Sequence, residues 1–186
     1  MTDAPKRKPI RLTEYDYSTP GAYFVTICTQ GRRCILSDIT AGDGVLDPPC
    51  VHLTEYGAAV EQTLQEIGSH YEHIVFEKYV IMPNHIHLLI RIIETGTSRT
   101  PSPTNPTGSA HKPVGAGVPD RPLPANAVLP MLISTLKRFS NRKCGVQLWQ
   151  RSYHEHVIRN ERDYAEIWIY IDDNPAKWTL DRYYEA

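Results

Sequence analysis

His85 and His87 stand two residues apart in a run of apolar, β-branched residues. In an extended chain, side chains two apart leave the same face, so the two imidazoles project together and Ile86 turns to the opposite, apolar side. A pair of neutral imidazoles chelates a divalent ion, and an ordinary pKa near ~6.5 leaves them neutral at cytosolic pH. A second pair is Tyr170 and Asn174, four residues apart. On a helix these occupy one face, one turn from each other. The Asn174 carboxamide oxygen is a hard ligand suited to Mg²⁺ or Mn²⁺, and it would bring the Tyr170 phenol beside the ion. Taken singly, each residue also has an ordinary reading: an H-x-H pair as packing, a half-buried tyrosine, an asparagine closing a helix ahead of Pro175. His154 and His156 repeat the spacing around Glu155, but we do not read them as a second metal site. Asp172 and Asp173 read as solvated helix-end residues.

Those residues need a strand, a helix and a scaffold to bring them together. Residues 22–29 are aromatic and β-branched behind a Pro20–Gly21 turn, which predicts a strand. Residues 54–69 have helical spacing with Thr54 as N-cap, and residues 74–82 and 85–93 are strands parted by Pro83–Asn84. Residues 129–144 form a helix that ends at Gly145, with Leu132, Ile133, Leu136 and Phe139 on one face and Lys137, Arg138, Arg142 and Lys143 on another. A short strand is expected at 146–150. Asn160 caps a final helix that stops before Pro175. The order strand, helix, strand, strand, helix, strand, helix suits an α+β, ferredoxin-like antiparallel sheet with helices on one face and an additional C-terminal helix carrying the tyrosine.

At 186 residues the chain reads as a single domain, 1–186, large enough for a sizeable core. Residues 95–130 are crowded with Pro, Gly, Ser and Thr, which predicts a flexible insertion. Four cysteines without a C-x-x-C pair point to a reduced compartment and no structural disulfide. No apolar run is long enough to span a bilayer and no signal peptide is evident, so the expectation is a cytoplasmic protein without a membrane partner. With 20 basic and 21 acidic residues the chain is not globally basic, but its bases gather at 6–11, 32–33 and 137–143, so a basic face is compatible with neutrality.

Longer stretches carry a family resemblance. Met82-Pro83-Asn84-His85-Ile86-His87-Leu88-Leu89 looks like the HUH metal motif of the single-tyrosine transposases, the IS200-like group. The stretch from Trp149 to Arg159 and that from Tyr170 to Trp178 resemble blocks of the REP-associated tyrosine transposases. Tyr15-Asp16-Tyr17 and Gly21-Ala22-Tyr23-Phe24-Val25-Thr26 are also similar to that group. Only 95–130 falls outside the likeness. The resemblance implies the ferredoxin-like fold, His85 and His87 as metal ligands, Asn174 as the polar ligand one turn after the tyrosine, and Tyr170 as nucleophile.

The implied reaction is metal-dependent cleavage and rejoining of single-stranded DNA at hairpin-flanked, REP-like sites, through a 5′-phosphotyrosine and a free 3′-hydroxyl. A phenol with pKa near ~10 needs a nearby cation to attack at neutral pH. The phosphotyrosine conserves the bond energy, so no nucleotide cofactor is needed, in keeping with the lack of a P-loop pattern. Lys6, Arg7, Lys8, Arg11, Lys137, Arg138 and Arg151 are candidates for phosphate contacts, and Tyr15, Tyr17, Tyr23 and Trp149 for base stacking. Two other readings compete: a catalytically inactive DNA-hairpin-binding regulator of the same fold, and a metal hydrolase in which water attacks.

Overall fold

The computed structural model describes residues 19–40, 49–93 and 128–184. The insertion expected at 95–130 lies almost wholly outside them, as do Arg7, Lys8, Arg11, Tyr15 and Tyr17. Strand β1 spans Gly21–Cys28, and a small hairpin follows from β2 (Ser37–Thr40) and β3 (Cys50–Leu53). Helix α1 is Glu55–His70, β4 is Ile74–Ile81 and β5 is His85–Ile92. Helix α2 is Val128–Cys144, β6 is His154–Ile158 and α3 is Glu161–Asp173; a 3-10 helix, Pro175–Leu180, continues α3.

Four strands form one antiparallel sheet in the order β4-β5-β1-β6. Its two faces are built from alternate residues. Tyr23, Val25 and Ile27 of β1 and Ile86, Leu88 and Ile90 of β5 pack against Val60, Leu64 and Ile67 of α1 and Leu129, Leu132, Ile133 and Leu136 of α2. Ile86 thus lies on the apolar side, as the period-two pattern requires. The opposite face carries Ala22 and Leu89, and α3 covers it through Ile171, with Phe24, Tyr164 and Ile167 around them. This is the α+β antiparallel plan expected, with the extra C-terminal helix on the face that α1 and α2 leave open.

Both capping residues read from sequence act as such. Thr54 Oγ1 accepts from the Gly57 N–H at 3.2 Å, and Asn160 Oδ1 accepts from the Asp163 N–H at 2.9 Å. Gly145 follows α2 with φ 66°, the left-handed conformation that glycine adopts without steric cost.

The strand expected at 146–150 is a correction. Only Trp149 pairs there, in a single bridge to Thr29, and the fourth strand is β6 at 154–158. The apolar character of Leu148 and Trp149 reflects burial: both lie under α2, and the Trp149 indole N–H donates to Ser140 Oγ at 2.8 Å. The β2–β3 hairpin was not anticipated. Its four-residue strands mix polar and apolar types too briefly for an alternation to register.

Helix α1 starts tight against the segment before β2. A Cβ on Gly57 would lie 2.0 Å from the Leu36 carbonyl oxygen, which is backbone that cannot yield locally. The Thr54 hydroxyl also donates to the carbonyls of Ile35 (2.6 Å) and Leu36 (3.0 Å), tying the two segments together. Gly57→Ala, a favourable exchange in an open helix, should here lower stability by about 2 kcal/mol or more. Chemical denaturation checks it; an unchanged or raised midpoint would refute the close approach.

Candidate metal and nucleophile site

Strand β5 is paired on both sides, by β4 and β1, so His85 and His87 project from an interior strand of the sheet. Both are buried. Their Nε2 atoms face each other at 3.0 Å. An ion about 2.1 Å from each of two donors at a mutual right angle sets those donors about 3.0 Å apart, so the pair has the bite of a metal chelate.

The outer ring nitrogens are held by neighbours. Asn84 Nδ2 donates to the Tyr183 carbonyl at 2.7 Å, which turns Asn84 Oδ1 toward His85 Nδ1 at 2.9 Å. That oxygen only accepts, so the network assigns the His85 proton to Nδ1 and a lone pair to Nε2. Thr26 stands opposite His87 in the β1–β5 register. Its hydroxyl meets His87 Nδ1 at 2.8 Å and can donate or accept, so it serves either tautomer. Asn84 and Thr26 are buried and fix the orientation of the two imidazoles, as supports of a ligating pair would.

Helix α3 delivers the tyrosine. The Lys78–Asp172 ion pair (2.6 Å) and the Tyr164 hydroxyl donating to Glu77 (3.1 Å) fasten it to β4. Asp172, read from sequence as solvated, is thus partly engaged. Tyr170 lies with its ring edge on Phe24 (5.9 Å), and Phe24 stacks on His87 (5.1 Å). The Tyr170 hydroxyl reaches His87 Nε2 at 3.3 Å while the residue stays 40% exposed. Tyr164, six residues earlier, is committed to Glu77 on the far side.

Asn174 ends α3 in helical geometry and is 2% exposed. Its Nδ2 donates to Asp181 Oδ2 at 3.2 Å, and its Oδ1 is buried with no hydrogen-bond partner. An orphaned buried carbonyl oxygen is costly unless something positive meets it. Asp181 brings a carboxylate within 4.8 Å of the imidazole nitrogens and is fixed by the Tyr183 N–H at 2.7 Å. The donor set, two imidazoles, a carboxamide oxygen and a carboxylate, suits a hard or borderline divalent ion.

Burial dominates the electrostatics. It lowers the pKa of His85 to about 4, against the opposing pull of Asp181 and with help from Arg182 and Arg32. Burial also pushes His87 well below its usual value, with His85 and Arg182 acting in the same direction. Both rings are therefore neutral at neutral pH. The Tyr170 phenol moves the other way: burial raises it, Asp181 adds to that, and the Asn174 amide and Arg182 only partly offset them. The protein groups alone keep this phenol protonated.

Sequence reasoning assembled His85, His87, Tyr170 and Asn174 and missed Asp181, Tyr183 and Arg182; Asn84 and Thr26 were only part of the quoted motifs. Asp181 had no periodic signal, because a 3-10 helix and a turn set its position rather than α3. Among the basic candidates, Lys137 is buried in part and its ammonium donates to the carbonyls of Gln150 (2.8 Å), Arg151 (3.3 Å) and Ser152 (3.0 Å). It holds the segment that carries Arg151. Arg138 and Arg151 border a cleft of about 430 Å³ with Asn141 and Gln147. Tyr23 and Trp149 are core residues and have no free face for a base. His156 pairs with Asp163 at 2.8 Å, and His154 sits on the Thr26 face of the sheet.

No family model matches the chain. An uncharacterised protein of Haemophilus influenzae is 30% identical over 189 residues, covering 96% of this chain and 93% of that protein. A second protein of that organism, which carries the name of a REP-associated tyrosine transposase, is 29% identical over 166 residues, covering 87% and 74%. The fold is similar to that of a solved REP-associated tyrosine transposase bound to a REP hairpin, with a TM-score of 0.55 at 20% identity, over 89% of this chain and 74% of that one. In sequence and in fold the chain is thus similar to the REP-associated tyrosine transposases.

The imidazole pair predicts a pH signature. Because the folded pKa of each lies below the unfolded value of 6.5, the unfolded chain takes up protons first. Their contribution to stability is complete above about pH 6.5 and is lost as pH falls from there toward about 4, by up to about 1.4 kcal/mol per pH unit for each ring. In EDTA-treated protein the melting temperature should fall across that window, and a His85→Asn/His87→Asn double variant should lose part of the slope. Equal slopes in the two proteins would contradict the burial-driven shift.

Proposed function

We propose that the protein cleaves and rejoins single-stranded DNA at hairpin-flanked, REP-like sites, with Tyr170 as nucleophile and a divalent ion, Mg²⁺ or Mn²⁺, held by His85, His87 and Asn174 with Asp181 as a further donor. One observation carries this reading: the Tyr170 hydroxyl and the Nε2 atoms of both histidines converge on one point. The names of a sequence relative and of a structural neighbour, the latter bound to a REP hairpin, support the substrate.

A divalent ion bound there supplies positive charge that polarises the scissile phosphate and favours the phenolate. The chain's own residues do the rest. Phe24 and α3 hold the phenol oxygen next to the imidazoles. Tyr170 is exposed enough to meet a phosphodiester and to release its proton to water. Its oxygen forms the new bond to phosphorus in line with the departing 3′-oxygen, which leaves as a hydroxyl after protonation. The product is a 5′-phosphotyrosyl enzyme, and attack by a 3′-hydroxyl reverses the step. Asn84 and Thr26 keep the imidazoles in register throughout. Arg138 and Arg151, with Arg7, Lys8, Arg11, Tyr15 and Tyr17 outside the described residues, are proposed DNA contacts. We take residues 1–186 as a single domain with an insertion at about 95–130, working in the cytoplasm where the DNA substrate is.

Incubation with a labelled single strand bearing a hairpin and a short unpaired tail, in Mn²⁺, should yield a covalent protein–DNA band that EDTA removes. Tyr170→Phe should lower its formation by about three orders of magnitude or more while leaving binding near wild type, since the ring and its packing stay. His85→Ala and His87→Ala should each abolish cleavage. Peptide mapping should place the adduct on Tyr170. An adduct on Tyr153, Tyr164 or Tyr183 would overturn the nucleophile. Hairpin binding without any adduct would favour the inactive regulator, and cleavage by Tyr170→Phe without an adduct would favour attack by water.

A further inference from the structure

A group of cationic and aromatic side chains lines one side of the site and takes no part in the mechanism above. Tyr183 packs on His85, with ring centroids 4.7 Å apart. Over that same ring stand two guanidiniums, Arg32 at 5.6 Å and Arg182 at 4.6 Å. The Arg182 fork also donates to the Tyr183 hydroxyl, which occupies one of its five donor hydrogens. Both positive charges are felt at His85.

Arg32 is held there at a conformational cost. Its φ is 51°, directly after Gly31 at 65°. A bulky non-glycine residue in the left-handed region is strained by about 1 kcal/mol or more and persists where the surroundings demand it. The Gln30–Arg32 turn buries no side chain, and it sets the Arg32 guanidinium over the Tyr183 ring.

Next to this pair lies an aromatic step. Trp178 is 6.0 Å from the His85 ring, and Tyr184 meets Trp178 edge-on at 5.2 Å while remaining 39% exposed. Leu180, between them in sequence, is almost fully exposed. Tyr23 and Trp149, the stacking candidates that sequence suggests, are buried, whereas Tyr184 is exposed and Trp178, beside His85, is only partly buried.

We propose that Arg32 and Arg182 grip the phosphate, and Trp178 with Tyr184 the base, of one nucleotide adjoining the scissile phosphate on a single DNA strand. The proposal rests on the reading of Tyr170 as a DNA nucleophile and adds where the strand lies. Two guanidiniums match a phosphate in charge and donor geometry, and an aromatic face accepts an unpaired base of any identity. A duplex keeps its bases stacked and does not fit the step.

The test is binding of the full chain, in EDTA to prevent cleavage, to a fluorescent 12-nucleotide single strand without a hairpin, across a salt series. Arg32→Ala/Arg182→Ala should weaken binding and flatten the log K against log salt slope by about 0.7 or more, the value of one phosphate contact on a single strand. Arg32→Lys/Arg182→Lys should restore most of that slope. Trp178→Ala should weaken binding about tenfold with the slope unchanged, Trp178→Phe should recover it, and a blunt duplex should bind Trp178→Ala and wild type alike. Variants that bind the single strand as wild type does, with the same slope, would overturn the nucleotide seat alone. A wild-type protein that binds neither this strand nor one bearing a hairpin and an unpaired tail would remove the DNA-nucleophile reading and the seat with it, and one that binds only the hairpin-bearing strand would overturn the seat alone.

Discussion

The site turns on two buried imidazoles that meet edge-on with 3.0 Å between their Nε2 atoms. Two lone pairs at that distance in a dry setting repel unless a proton or a cation lies between them. With a proton, one ring donates to the other and the Thr26 hydroxyl adapts. With a cation, both rings become ligands and Thr26 accepts instead. The surrounding fold is what denies the pair other options: β5 is central, Asn84 locks His85, Phe24 stacks on His87, and Ile86 anchors the strand from behind in the apolar core.

The same constraint organises the C-terminal part of the chain. Helix α3 lies on the open face of the sheet with only Ile171 fully buried, so hydrophobic burial alone would hold it weakly. Specific polar ties to β4, through Asp172 and Tyr164, set its rotation. The 3-10 continuation then folds Asp181 and Tyr183 back over the histidines. The result is a phenol kept neutral by burial and by a carboxylate, beside a donor set whose buried carboxamide oxygen has no partner. Each of these is unfavourable by itself, and one divalent ion would relieve all of them together.

How much of this could be read from residues alone differed by element. The H-x-H pair on a strand, the i,i+4 relation of Tyr170 and Asn174, and the caps at Thr54 and Asn160 are local periodicities, and local periodicity survives folding. Asp181, Tyr183 and Arg182 were invisible because a turn, not a repeat, aims them. Thr26 needed the β1–β5 register, which links residues 61 apart. The strand expected at 146–150 failed because Leu148 and Trp149 are apolar for burial under α2, and a five-residue stretch does not distinguish that from pairing. Lys137 looked like a surface base and is instead the clamp on three carbonyls, a role that only the loop it holds reveals.

The most direct test of the central claim is anomalous diffraction from crystals of the Tyr170→Phe protein soaked in Mn²⁺. The account predicts a single strong peak about 2.2 Å from the Nε2 atoms of both His85 and His87, with Asn174 Oδ1 turned toward it. A map with no peak there, the two nitrogens still joined by a hydrogen bond, would contradict it.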